Sequence, residues 1–110
     1  MEININCDLG EKSIHHSNEH DPELLKIVNS ANVACGFHAG DEETMNQIIQ
    51  ISKDNGVSIG AHPSFNDPKN FGRERMNLSS SEIKKLIIDQ YEILQKIASS
   101  YKENLSLIHI

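Results

Sequence analysis

The sequence predicts an α/β fold, and within it a (β/α) barrel, on three observations. Strand-like and helix-like stretches alternate along the 110 residues. The connections between them are short, which implies parallel strands joined by right-handed crossovers. Each strand-like stretch has one apolar face and one small or polar face. An open doubly wound sheet lies under helices on both sides and should be apolar on both. A one-sided pattern instead fits a barrel whose interior is polar towards its mouth.

The first strand is "EININCD", with Ile3, Ile5 and Cys7 on one face and Asn4, Asn6 and Asp8 on the other. "DPELLKIV" then starts a helix, with Asp21 as its N-cap and Pro22 at the first helical position. "ANVACGFH" reads as the second strand, Val33, Cys35 and Phe37 opposing Asn32, Ala34, Gly36 and His38. Asp41 caps the next helix, in which Met45, Ile48 and Ile49 recur at helical spacing and Gly56 provides the stop. "VSIGAH" is the third strand, with Ser58, Gly60 and His62 on its polar side. "FNDPKNFGRERMN" is a turn-rich loop. Ser79 and Glu82 form a capping box for a long helix whose Ile83, Leu86, Ile87, Leu94, Ile97 and Tyr101 make one buried stripe.

The closing "NLSLIHI" reads as a fourth strand that has just begun. An apolar half-strand without a cap exposes an edge that invites pairing. The expectation is therefore a single domain over 1–110 that forms the N-terminal portion of a longer barrel. Its two raw edges predict a homo-oligomer, swapped or intertwined.

Composition bounds the function. A formal charge of −6 disfavours a nucleic-acid partner, which calls for a basic face. No apolar run approaches the roughly 18 residues of a membrane span, and no leader is evident, so the expected location is cytoplasmic. Two cysteines, Cys7 and Cys35, cannot staple a fold and are expected as reduced, packed thiols. No phosphate-binding or dinucleotide glycine fingerprint occurs.

The polar faces end in chemically able side chains: Asp8, His38 and His62 close three successive strands. Carboxyl ends of parallel strands are where α/β folds build their sites. Gly36 and Gly60 precede the two histidines by two residues, which leaves room for a ligand. One carboxylate and two imidazoles suit a divalent metal with open positions, able to activate water or polarise a carbonyl. Asp41 and Glu11 are then candidates for a general base or for a carboxylate that orients an imidazole. The competing reading has Asp8 capping a turn and the histidines satisfying buried carbonyls. Arg73 and Arg75 could clamp a carboxylate or phosphate, or form surface ion pairs. His15, His16 and His20 resemble a metal-binding tract in composition but read better as polar loop. The direction of His109 is open.

With "NCDLGE", "SANVACGFHAGD", "GVSIGAHPSFND" and "FGRERMNLSSSE" in this order, the chain resembles the LamB/YcsF family of 5-oxoprolinase A subunits. The resemblance implies an irregular, seven-stranded TIM-like barrel of the glycoside hydrolase/deacetylase type in proteins about twice this length. It implies a share in the ATP-dependent opening of the 5-oxoproline (pyroglutamate) lactam to L-glutamate, with two partner subunits. By matching position, Asp8, Glu11, His38, Asp41 and His62 fall in the motifs expected to be catalytic, with Asn6, Arg73 and Arg75 as substrate-binding candidates. By analogy with deacetylase-like barrels, Asp8, His38 and His62 would be the metal set. The departure is "GEKSIHHSN", where the family more often reads "GESFG". Two other functions compete: a metal-dependent carbohydrate or amide deacetylase, and a non-catalytic scaffold that binds a small acid.

Overall fold

A computed structural model describes residues 3–109. Four parallel strands pair in sequential order: β1 (Asn6–Leu9), β2 (Ser30–Ala34), β3 (Ser58–His62) and β4 (Leu107–Ile108). Between them lie α1 (Asp21–Leu24), α2 (Glu42–Asp54), a 3-10 turn (Pro68–Asn70) and α3 (Ser80–Ser100). Glu2, the expected start of the first strand, and Ile110, at the end of the fourth, lie outside the described residues.

Register sorts the two faces of the sheet. Cys7, Ala31 and Ile59 align in one row and Leu9, Val33 and Ala61 in another, all facing the helices. This face joins Met45, Ile48 and Ile49 of α2 and Leu94 and Ala98 of α3 in a single core. Each fully buried aliphatic side chain there contributes about 1.5–3 kcal/mol. The opposite face carries the rows Asn6–Ser30–Ser58 and Asp8–Asn32–Gly60, then Ala34–His62. The one-sided pattern read from sequence is thus present, and every adjacent pair is parallel as expected.

Several elements differ from expectation. β1 begins at Asn6, and Ile3 lies exposed (74%) instead of joining an apolar strand face. β2 stops at Ala34, because Gly36 adopts φ +89° and its N–H turns back to the Ala39 carbonyl (3.0 Å). His38 therefore sits on a loop, and Gly36 makes the turn instead of clearing space for a ligand. The helix at Asp21 is a single turn whose N-cap is His20; the Asp21 carboxylate is spent elsewhere.

The capping predictions for the longer helices hold. Asp41 accepts from the Thr44 amide (2.7 Å), and Ser79 and Glu82 bond each other's backbone amides. The buried line of α3 is Gln90, Leu94 and Ala98, whereas Ile83 is exposed and Leu86, Ile87, Ile97 and Tyr101 are half-buried or partly so. A 21-residue helix is about 31 Å long, and strands of four or five residues run only about 17 Å. The first turns of α3 accordingly overhang the sheet.

Candidate active site

The cleft forms where β1, β2 and β3 release the chain at their carboxyl ends. Asp8 projects from β1 on the polar face, beside Asn32 of β2. After Leu9 the chain turns at Gly10, whose N–H donates to the buried Asp21 carboxylate (2.8 Å). Glu11 follows and swings inward. The loop after β2 returns against this turn: the Gly40 N–H donates to the Lys12 carbonyl (2.8 Å), and Gly40 has φ +77°. A Cβ on Gly40 would run into the Gly10 carbonyl, so only glycine permits this approach.

Glu11 is the hub. One of its oxygens, Oε1, lies 3.2 Å from His38 Nε2 and 3.1 Å from His62 Nε2. The two imidazoles meet edge to face, 5.1 Å between centroids, and Phe71 packs edge-on to His38 at 5.2 Å. His62 Nδ1 lies 2.8 Å from the His109 carbonyl and, facing an acceptor, donates its proton there. Strand β4 delivers that carbonyl, since the His109 N–H bonds Ala61 (2.7 Å). The His109 ring turns inward: its Nε2 lies 3.7 Å from Asp8 Oδ1, while His62 Nε2 lies 3.7 Å from Asp8 Oδ2. The cleft measures about 290 Å³, and Phe71 and Arg73 stand in its wall.

Electrostatics follow from that arrangement. Burial raises the Glu11 carboxyl, but hydrogen bonds from both imidazoles, and their charge, outweigh it and bring the group down to about 2. Burial works against a charged His62, yet the Glu11 bond, the His109 carbonyl and the two carboxylates raise it overall. Burial pushes the Cys35 thiol up to about 12, as befits a packed, inert thiol.

The expected residues fare differently. Asp8, Glu11, His38, His62 and Arg73 border one cleft. Asp41 caps α2, so its carboxylate is occupied outside the cleft. Asn6 accepts from Asn32, and Arg75 lies exposed beyond the cleft wall. Among the described residues, two sets of three bring donor atoms within reach of one ion: Glu11/His38/His62 and Asp8/His62/His109. The expected set Asp8/His38/His62 is neither of these: Glu11 pairs with His38 and His62, and Asp8 with His62 and His109. His15, His16 and His20 take separate partners: the Lys69 carbonyl (2.8 Å), the Phe71 ring (4.4 Å) and Glu19 (3.3 Å). His109 and Asn32 are the two neighbours of Asp8 that sequence reasoning did not assign. The available signal was Asn32 itself, a polar residue in the middle of a strand whose every residue is buried.

A parallel sheet with acid and imidazole side chains converging at its carboxyl ends defines the class: an α/β protein with a strand-end site. Within that class the chain belongs to the LamB/YcsF family, whose pattern matches residues 3–110. It is 48% identical over 90 residues to the 5-oxoprolinase A subunit of Staphylococcus epidermidis, covering 82% of this chain and 36% of that protein. To the 5-oxoprolinase A subunit of Staphylococcus aureus it is 45% identical over 95 residues, covering 86% of this chain and 38% of the relative. The crystal structure of the lactam utilization protein from Thermus thermophilus superposes with a TM-score of 0.91 at 34% identity, covering 98% of this chain and 44% of that one. The matched part of the chain thus spans little more than a third of these curated relatives. No helix of the described residues is long and apolar enough to cross a membrane.

Proposed function

We propose that this chain contributes the acid–imidazole half of a 5-oxoprolinase, which opens the 5-oxoproline lactam to L-glutamate with ATP and two partner subunits in the cytoplasm. The observation that carries this reading is the Glu11 carboxylate held between His38 and His62 inside a small cleft. The relatives named as 5-oxoprolinase A subunits and as a lactam utilization protein support the substrate class. The reading also completes the sheet as a seven-stranded (β/α) barrel, supported by the sequential parallel order and the one polar face.

Opening the ring requires water to add to its carbonyl carbon, the C–N bond to break, and the ring nitrogen to gain a proton. A carboxyl brought down to about 2 is a weak base, so Glu11 does not itself deprotonate water efficiently. Its role is to orient His62 and to stabilise the imidazolium, as a buried acid does beside a catalytic histidine. His62, with Nδ1–H on the His109 carbonyl and Nε2–H on Glu11, gives its Nε2 proton to the leaving nitrogen. Asp8, 3.7 Å from Nε2, takes the proton from water and returns it to His62. The Arg73 guanidinium, near the Phe71 face at 5.7 Å, fits the single carboxylate of the substrate. ATP would activate the lactam, but the described cleft offers a triphosphate one guanidinium against two carboxylates, so the nucleotide is assigned to other parts of the assembly.

A divalent ion fits the cleft through His62, whose second nitrogen is already bonded to a carbonyl in the manner of metal-bound histidines. Glu11 and His38, or Asp8 and His109, would complete its ligands. Such an ion would supply Lewis-acid polarisation of the ring carbonyl. The test is glutamate release from 5-oxoproline by the intact protein, with and without ATP, partners and chelator. ATP-independent release of acetate from acetylated sugars would replace this reading with a deacetylase. Undiminished glutamate production by Asp8→Asn and His38→Ala assemblies would leave a scaffold.

A further inference from the structure

We infer that Asn32 is a positioning residue for Asp8, an inference that rests on the catalytic reading of the cleft. Asn32 sits at the centre of β2, 1% exposed, in register between Asp8 and Gly60. Its Nδ2 donates to Asp8 Oδ1 (3.1 Å) and to Asn6 Oδ1 (3.0 Å). An ionised carboxylate only accepts hydrogen bonds, so the amide nitrogen must face Asp8 and the amide orientation is fixed. Asn6 anchors the second N–H, and the NH2 group is fully used.

The other end of the amide gives the second observation. Asn32 Oδ1 is buried with no hydrogen-bond partner among the described residues. A buried, unpaired acceptor costs stability, and an aliphatic side chain of similar volume would avoid that cost. Nothing in the packing of β2 calls for an amide, since its neighbours Ala31 and Val33 face the apolar core. The polar contacts it does make are to Asn6 and to Asp8, and the Asp8 Oδ2 points towards His62 while its Oδ1 points towards His109. Asn32 thereby sets the rotation of the Asp8 carboxylate relative to both imidazoles.

The experiment compares wild type, Asn32→Leu and Asn32→Ser in the intact protein with its partners. The expected result for Asn32→Leu is at least ~10-fold loss in kcat, the usual scale for removing an orienting partner, with KM within about twofold. Its thermal midpoint should be unchanged or higher. A residue that merely holds the sheet together would lower the midpoint, and retention of kcat by Asn32→Leu overturns the inference. Asn32→Ser, which keeps a donor, should recover part of kcat. If the wild-type assembly releases no glutamate, the catalytic reading fails on its own. The clamp is then judged by the side-chain NH2 signals of Asn32: slow exchange that is lost in Asp8→Ala supports it, and fast exchange in wild type overturns it.

Discussion

The loop that follows β2 has buried residues along its length, whereas the loop that follows β1 is buried only at its root. In the first, Cys35, His38 and Ala39 are all but inaccessible, and Asp41 ties the far end into α2. In the second, Gly10 and Lys12 are held by Asp21 and Gly40, but Ile14 is 80% exposed, and the rings of His15 and His16 rest on the Lys69 carbonyl and the Phe71 ring. Both loops carry histidines. Only the one with its backbone fixed on two sides points its histidine into the cleft. Composition alone would have favoured the other, with its three histidines in six residues. Side chains that do chemistry need a backbone held within a fraction of an ångström, and only packing supplies that.

The sharpest way to break this contrast is to separate the loops at their contact. Gly40→Ala adds a Cβ into the Gly10 carbonyl at a positive φ and should cost about 3 kcal/mol or more, read as a lowered urea midpoint. A wild-type midpoint would mean the loops are not held by this approach. Next in size, Asp8→Asn and His38→Ala should each reduce turnover by ~100-fold or more while secondary structure by circular dichroism is preserved.

A pH series on chelator-treated protein sharpens the comparison further. The Glu11 carboxyl lies below its ordinary value, so its contribution is present above about 4.5 and is lost as pH falls from there towards about 2. His62 lies above its ordinary value, so its contribution is complete below about 6.5 and is lost as pH rises through the folded value. The two describe one pair and count once, about 1–3 kcal/mol, with best stability near pH 4.5–6.5. Glu11→Gln should flatten both limbs of the urea midpoint against pH; an unchanged profile would deny the pairing. Smallest of all, His15→Ala and His16→Ala should change stability by less than ~0.5 kcal/mol and turnover by less than about twofold. A large loss from either would erase the distinction between the loops.

How much of this was legible depends on distance along the chain. The caps at Asp41 and Ser79, the amphipathic stripe of α2 and the alternation of β3 are local patterns, and they read correctly. Asp21 has the sequence signature of an N-cap, yet its carboxylate goes to Gly10, eleven residues back, because the loop turn offered an unpaired buried amide. Strand register is likewise non-local. Nothing in "SANVA" says that Asn32 lies level with Asp8, and nothing in "SLIHI" says that pairing with β3 brings His109 beside His62. The strand-end rule located Asp8 and His62. It could not foresee that β2 ends early and that Glu11, just beyond its strand, would take the central position.

The contact between Gly40 and the root of the first loop has a practical reading. Residues 10–12 are stitched to the second loop, and the eight that follow hang outside that stitch until the chain re-enters at Asp21. A change of length at exposed Ser17, clear of the His16 contact with Phe71, should leave Glu11 where it is, so this point is the natural place to graft a peptide or attach a dye without disturbing the acid and its two imidazoles.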